Sequence, residues 1–192
     1  MSKKFRIAVF ASGSGTNAER IFEHFKNHDS IEVALLLSNN AEAYALKRAA
    51  NANVPSKIFS RQEFREGTVL QWLKEAEITH IVLAGFLWLV PSELISSYSD
   101  RIINIHPALL PKYGGKGMYG SKVHEAVKLA EEKETGITIH LVNEKYDEGR
   151  TLFQTSVEIS PTDTPDEIAS KVHQLEYAHY PEVIEKWILG IQ

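Results

Sequence analysis

The chain has 192 residues, 43% hydrophobic and 24% charged, with a formal net charge of -4 and no cysteine. That is one domain's worth of ordinary globular composition. The negative balance gives no long-range attraction to nucleic acid or an anionic membrane, and the lack of cysteine rules out disulfides, thiolate nucleophiles and cysteine-ligated metal. The start, MSKKFRIAVFASGSGTN, has too few apolar residues between its basic flank and a Gly/Ser turn for a signal-peptide core, and no segment approaches a membrane span. A cytoplasmic protein with no nucleic-acid or membrane partner is expected. Strands are expected at RIAVFA, EVALLLS, HIVLAGF, RIINIH, GITIHLV and LFQTSVEI, and helices starting near Thr16, Glu42, Arg61, Pro91, Ser121 and Thr164. Strand followed by helix, repeated, with consecutive apolar residues in the strands, predicts an α/β chain with a doubly wound, mostly parallel sheet. The last helix has Thr164 as N-cap and Pro165 at its first position, and is expected to bend or break before Pro181. PKYGGKGMYG, residues 111–120, is the one long irregular segment.

After the first strand, ASGSGTNAERIF turns through Gly13 and Gly15 into a helix. Glycines let a backbone approach a phosphate, the free N–H groups of the first helical turn donate to it, and Thr16 and Asn17 add side-chain donors. The segment also satisfies a permissive G-x-G-x-x-A dinucleotide pattern, but the second strand ends LLLSNN without the acid such a site needs, and no G-K-[ST] follows as in a P-loop. A single phosphate, as on a ribose 5-phosphate, is the preferred ligand; a glycine turn that merely connects strand to helix is the alternative.

Asn104 and His106 alternate around Ile105, so both project from one face where the fifth strand stops. An amide and an imidazolium aimed at one point form an oxyanion hole, whereas a lone histidine at a strand end serves equally as a structural hydrogen-bonder. The acidic loop NEKYDEGR follows GITIHLV. If that strand neighbours the one ending at Asn104, Asp147 approaches the His106 ring, fixes its orientation and raises its pKa. Thr138 and His140 share one strand face, either as a satisfied core pair or as support for Asp147. Ser14 and Ser121 lack a nucleophile-elbow context, and the histidines show no metal-ligand spacing, so no metal is expected. These parts suit acyl transfer without an enzyme nucleophile.

ASGSGTN, LAGF, NIHPALLPKY, TGITIHLV and YDEG, in that order across nearly the whole chain, resemble the phosphoribosylglycinamide formyltransferase family of the folate-dependent formyltransferase superfamily. The resemblance implies one domain over residues 1–192 with a Rossmann-like, three-layer αβα formyltransferase fold. Its N-terminal half would bind phosphoribosyl and its C-terminal half would bind folate and carry catalysis. The implied activity transfers the formyl group of 10-formyltetrahydrofolate to the amine of glycinamide ribonucleotide in purine synthesis, in a monomer or homodimer. Asn104, His106 and Asp147 match the catalytic trio, with His106 the proton donor. Gly13, Gly15, Thr16, Asn17 and Ala18 match the phosphoribosyl segment, and His173 and Glu176 of HQLEYAHYP complete the substrate set, Glu176 matching the acid at the glycinamide end. Arg61, Leu87, Trp88, Leu89, Val90, Asn104, Asn143, Glu144, Tyr146 and Asp147 match the folate-binding segments, with Thr138 and His140 in support. One departure is the loop after LLPKY: GGKGMYGSKVHEA is longer than the PGLHAH-like run of many members and displaces His124. A formyltetrahydrofolate hydrolase or a methionyl-tRNA formyltransferase would carry an extra domain, for which a chain running from first strand to last helix leaves no place. A non-catalytic nucleotide-sugar binding module would need the glycine turn but has no use for the trio.

Overall fold

The structure, a computed structural model, describes residues 4–191; Met1–Lys3 of the basic flank and Gln192, the end of the expected domain, lie outside the described residues. Seven strands form one sheet: β1 (Phe5–Phe10), β2 (Ile31–Ser38), β3 (Ser56–Ile58), β4 (His80–Leu83), β5 (Ile102–His106), β6 (Glu134–Leu141) and β7 (Thr151–Glu158). They lie in the order β3-β2-β1-β4-β5-β6-β7. The first five are parallel, and β6 and β7 each run antiparallel to the preceding strand. The expected mostly parallel, doubly wound sheet is therefore present, and reversal is confined to the C-terminal edge.

Alternation along the strands sends side chains into two layers of helices. Ile7, Val9, Val82, Ile103 and Ile105 face α1 (Thr16–Phe25), α2 (Tyr44–Asn51) and α7 (Pro165–Leu189). Ala8, Phe10, Ile81, Leu83 and Ile102 face α3 (Arg61–Arg65), α4 (Thr68–Glu75) and α5 (Ser92–Ser97). A smaller cluster, Ala108, Val123, Val127, Ile159 and Ile168, seats α6 (Ser121–Leu129). With both faces covered, the central strands bury most of their residues, which is why they read as continuous apolar runs rather than alternating ones.

Three sequence expectations need correction. The helix starting at Arg61 is two helices: the Ser60–Glu63 capping box opens α3, and Gly67, in the left-handed region at φ 84°, ends that run and precedes α4. The short strand β3 was not foreseen, because all three of its residues are exposed and carry no apolar pattern. Helix α7 is unbroken through Pro181. Proline removes one helical hydrogen bond, but Ile168, Val172, Glu176, Tyr180, Ile184 and Ile188 form a buried stripe at four-residue spacing on both sides of it. The Tyr180 hydroxyl also donates to the Leu83 carbonyl at 2.8 Å, pinning the helix to the end of β4. Burial and that bond outweigh the missing one.

The loop between β6 and β7 folds back on the strand it leaves. Leu141 N–H donates to Arg150 O at 2.9 Å, and a Cβ built on Gly149 would stand 1.6 Å from the Leu141 carbonyl oxygen. Only a residue without a side chain fits. Gly149→Ala is therefore expected to destabilise the protein by roughly 1–3 kcal/mol or more, the usual range for overpacking. A lowered urea midpoint at unchanged slope would show this; a change within about 0.5 kcal/mol, as at an ordinary surface position, would contradict it.

Candidate active site

Strand order reverses direction at β1: the chain goes first to β2 on one side and later to β4 on the other. In open α/β sheets the crevice outside the strand carboxyl ends at such a point is where ligands bind. A cleft of about 660 Å³ opens there, lined by residues that follow β1, β4 and β5 and by the loops at 115–120 and 142–147. Its size suits small-molecule ligands.

At one end is the glycine turn. Gly15 takes φ 72°, which glycine adopts at little cost, and α1 begins at Thr16 with no side-chain cap on its first N–H groups. The turn is braced from behind: Ala45 N–H donates to Gly13 O at 3.1 Å, and Arg48 Nε donates to Ser14 O at 2.9 Å while its guanidinium pairs with Glu19. Ser12 Oγ donates to Asn39 Oδ1 at 2.7 Å and accepts from Leu87 N–H at 3.1 Å, joining this turn to the loop after β4. Asn17 Nδ2 donates to Glu176 Oε2 at 3.0 Å. Burial raises the Glu176 carboxyl to about 7, against the opposing pull of the Asn17 bond. The group is therefore partly protonated near neutrality in the free protein.

At the other end, β5 and β6 pair so that Asn104 lies opposite His140 and His106 opposite Thr138. His140 Nδ1 donates to the Leu141 carbonyl at 2.9 Å. A ring protonated there alone presents Nε2 as an acceptor, and Asn104 Nδ2 approaches it at 3.2 Å. One Asn104 N–H is thus committed and the amide's orientation set, while Asn104 still lines the cleft. His106 Nε2 donates to the Tyr113 carbonyl at 2.7 Å, so its Nδ1 is the nitrogen turned toward Asp147. The Asp147 carboxylate stands between the two rings, Oδ2 at 3.5 Å from His106 Nδ1 and Oδ1 at 3.6 Å from His140 Nε2, and accepts from Gly115 N–H at 2.9 Å.

Burial pulls the His106 imidazole below its ordinary range; Asp147 and the Tyr113 carbonyl act the other way but offset only part of that. The expected upward shift is corrected: the strand end is too deeply covered, with His106 only 4% exposed. Burial pushes the Asp147 carboxyl up, but its attraction for the His140 and His106 rings when they carry a proton toward it, together with the Gly115 N–H, holds it below the usual carboxylate range. The resting pair is a carboxylate beside a neutral ring.

Most residues foreseen from the sequence meet in this one cleft: Gly13, Gly15, Thr16, Asn17, Leu87, Trp88, Leu89, Val90, Asn104, His106, His140, Asn143, Tyr146, Asp147, His173 and Glu176 all line it. Four do not. The Ala18 side chain is fully buried in the core, leaving only its backbone N–H toward the turn. Arg61 lies outside the lining, its guanidinium 4.6 Å from the centre of the Trp88 ring, which in turn packs against Phe59, Phe64 and Phe86. Glu144 is exposed and off the cleft wall. Thr138 does not touch Asp147; its hydroxyl donates to Ala108 O at 2.7 Å and accepts from Leu110 N–H at 3.0 Å, securing the segment after His106. Ser12, Pro107, Lys145, His124 and the loop residues Lys116–Gly120 also line the cleft and were not assigned from sequence. Ser12 lay within the quoted glycine segment; His124 stands out in the sequence only as displaced from the family's PGLHAH-like run, and a histidine between Val123 and Val127 otherwise reads as helix core.

The chain matches the formyl transferase family over residues 5–184. The phosphoribosylglycinamide formyltransferase of Bacillus subtilis (strain 168) is 36% identical over 98% of this chain and 96% of its own length. The chloroplastic phosphoribosylglycinamide formyltransferase of Arabidopsis thaliana is 38% identical over 95% of this chain, which spans 65% of that relative. The crystal structure of phosphoribosylglycinamide formyltransferase from Bacillus halodurans superposes with a TM-score of 0.86 at 37% identity, covering 94% of each chain. Agreement in sequence and in backbone over nearly the full length has one reading: this chain belongs to the formyl transferase family.

Proposed function

We propose that this protein transfers the formyl group of 10-formyltetrahydrofolate to the amine of glycinamide ribonucleotide, a step of purine synthesis. The observation that carries the reading is the convergence of Asn104, His106 and Asp147 at one end of a cleft whose other end is the glycine turn. The names of the relatives point the same way. The N-terminal half supplies the phosphoribosyl site at Gly13, Gly15, Thr16, Asn17 and the Ala18 N–H, with His173 and Glu176 from α7. Because Glu176 bonds to Asn17 at this turn, we place it on the ribose side of the ligand rather than at the glycinamide end that the resemblance implies. The C-terminal half supplies catalysis and shares the folate slot, in which Leu87, Trp88, Leu89 and Val90 form an apolar wall and Asn143 and Tyr146 a polar rim; Arg61 acts on it through Trp88. The protein works in the cytoplasm on small molecules, as a monomer or homodimer, without metal. Among the described residues no helix is long and apolar enough to cross a membrane.

The folate supplies a formyl carbon on a nitrogen that can leave with a proton. Asn104 directs its second Nδ2 hydrogen at the formyl oxygen as the amine adds to the carbon and that oxygen becomes anionic. His106 Nδ1, unprotonated at rest, takes the amine's proton and passes it to the departing nitrogen. Asp147 stabilises the imidazolium in between, so the charged ring exists when it is needed. Turnover with a formyl-folate donor tests the proposal, with glycinamide ribonucleotide, formylatable tRNA and water compared as acceptors. Transfer to the ribonucleotide is expected; deformylation at equal rate without any amine would overturn it.

Asn104→Ala is expected to lower kcat by about 10²–10³-fold with little change in substrate affinity, because an oxyanion donor acts mainly in the transition state. Steady-state kinetics check this, and a loss of less than about tenfold in a folded variant would make Asn104 structural.

The glycine turn is best tested at Gly13. A Cβ on Gly15 would lie 2.5 Å from Ala45 Cβ at an unfavourable positive φ, whereas one on Gly13 meets no atom within 4 Å. Gly13→Ala should therefore leave the fold intact and weaken the ribonucleotide by about tenfold or more while sparing the folate. Separate titrations of the two ligands measure it; equal weakening of both would dissociate the turn from the phosphate.

A further inference from the structure

His124 is a buried polar group for which the mechanism above has no use. It sits in the first turn of α6, which Val123 and Val127 anchor in the third core cluster. Its side chain is 3% exposed yet borders the cleft, and its Nδ1 has no hydrogen-bond partner. Almost all buried polar atoms in folded proteins find partners, so a solitary one on a cleft wall marks a contact completed by ligand.

Its neighbours indicate which part of the ligand. The His173 ring stands perpendicular to it at 6.3 Å between centroids, and His106 is close enough to influence its charge. His173 lies one turn of α7 before Glu176, which holds Asn17 of the glycine turn. His124 thus lies along the path from the phosphoribosyl end to the reacting amine. We infer that the His124 imidazole hydrogen-bonds the amide that joins the ribose to the aminomethyl group of the acceptor, and so distinguishes it from other ribose phosphates. The inference rests on the proposed function and names a specificity contact within that site.

Charge supports an amide over a phosphate. Burial, reinforced by the nearby His173 and His106 rings, lowers the His124 pKa to about 4, so the ring is neutral at physiological pH. A neutral imidazole has one donor and one acceptor nitrogen, the complement of an amide's C=O and N–H. A phosphate is better served by the N–H groups at the start of α1.

The test compares glycinamide ribonucleotide with ribose 5-phosphate, which lacks the amide, by calorimetric titration of the wild type, His124→Leu and His124→Gln. His124→Leu is expected to weaken the ribonucleotide by about 10–100-fold, the usual effect of losing one polar contact, and to leave ribose 5-phosphate binding within about twofold. His124→Gln should recover part of the loss. His124→Phe, which fills the ring's volume, repeats the comparison if the leucine variant fails to fold. Equal weakening of both ligands would reduce His124 to packing, and no weakening of either would remove it from the site. A wild type that binds ribose 5-phosphate but not the ribonucleotide would overturn the proposed acceptor itself, an outcome distinct from both.

Discussion

The site depends on where one carboxylate is held. Asp147 sits at φ 56° in the loop after β6, a left-handed conformation that aspartate and asparagine tolerate better than most residues. From there it reaches the His106 ring, the His140 ring and Gly115 N–H. The contact to Gly115 ties the loop at 115–120 to the cleft wall, and the contacts to the two rings tie the ends of β5 and β6 to that loop. The approach leaves no spare room: a Cβ on Gly114 would stand 3.3 Å from Asp147 Cβ and 2.6 Å from a Leu110 methyl. Removing the carboxylate would release the His106 ring and the cleft wall together.

The sheet explains why those groups can meet. A wholly parallel sheet would carry the strand after β5 back to the same edge only through a crossover, with its carboxyl end beside that of β5. Instead β6 runs antiparallel, so His140 is directly opposite Asn104 and the loop carrying Asp147 leaves beyond Ile103 and Leu141. Orientation then passes from backbone to side chain. The Leu141 carbonyl selects the His140 tautomer, His140 sets the Asn104 amide, and the Tyr113 carbonyl fixes which His106 nitrogen faces Asp147.

Much of this was legible in the sequence, for reasons that mark its limits. The glycine turn and the Asn104-x-His106 pair could be read because glycine reports backbone shape and strand alternation reports side-chain direction. The pairing of His106 with Asp147 needed one assumption, that the strand before NEKYDEGR neighbours RIINIH, and β5–β6 pairing meets it. The direction of β6 was hidden, since an apolar run reads alike in parallel and antiparallel strands. The depth of His106 was hidden as well, and with it the sign of its pKa shift, because burial comes from distant chain segments. Arg61 was matched to a family segment, yet its guanidinium stacks on Trp88 instead of entering the cleft. Local motif and final side-chain direction are separate facts.

The central claim, that the Asp147 carboxylate favours the charged form of His106 against the pull of burial, is tested most directly by NMR titration of the His106 ring nitrogens in the ligand-free wild type and in Asp147→Asn. The substitution keeps the shape and the left-handed backbone while removing the charge. The wild-type ring should titrate below the ordinary imidazole midpoint of about 6.5, with Nε2 protonated throughout, and the variant lower still, because the one carboxylate that favours the imidazolium is gone. An unchanged or higher midpoint in the variant would contradict the account.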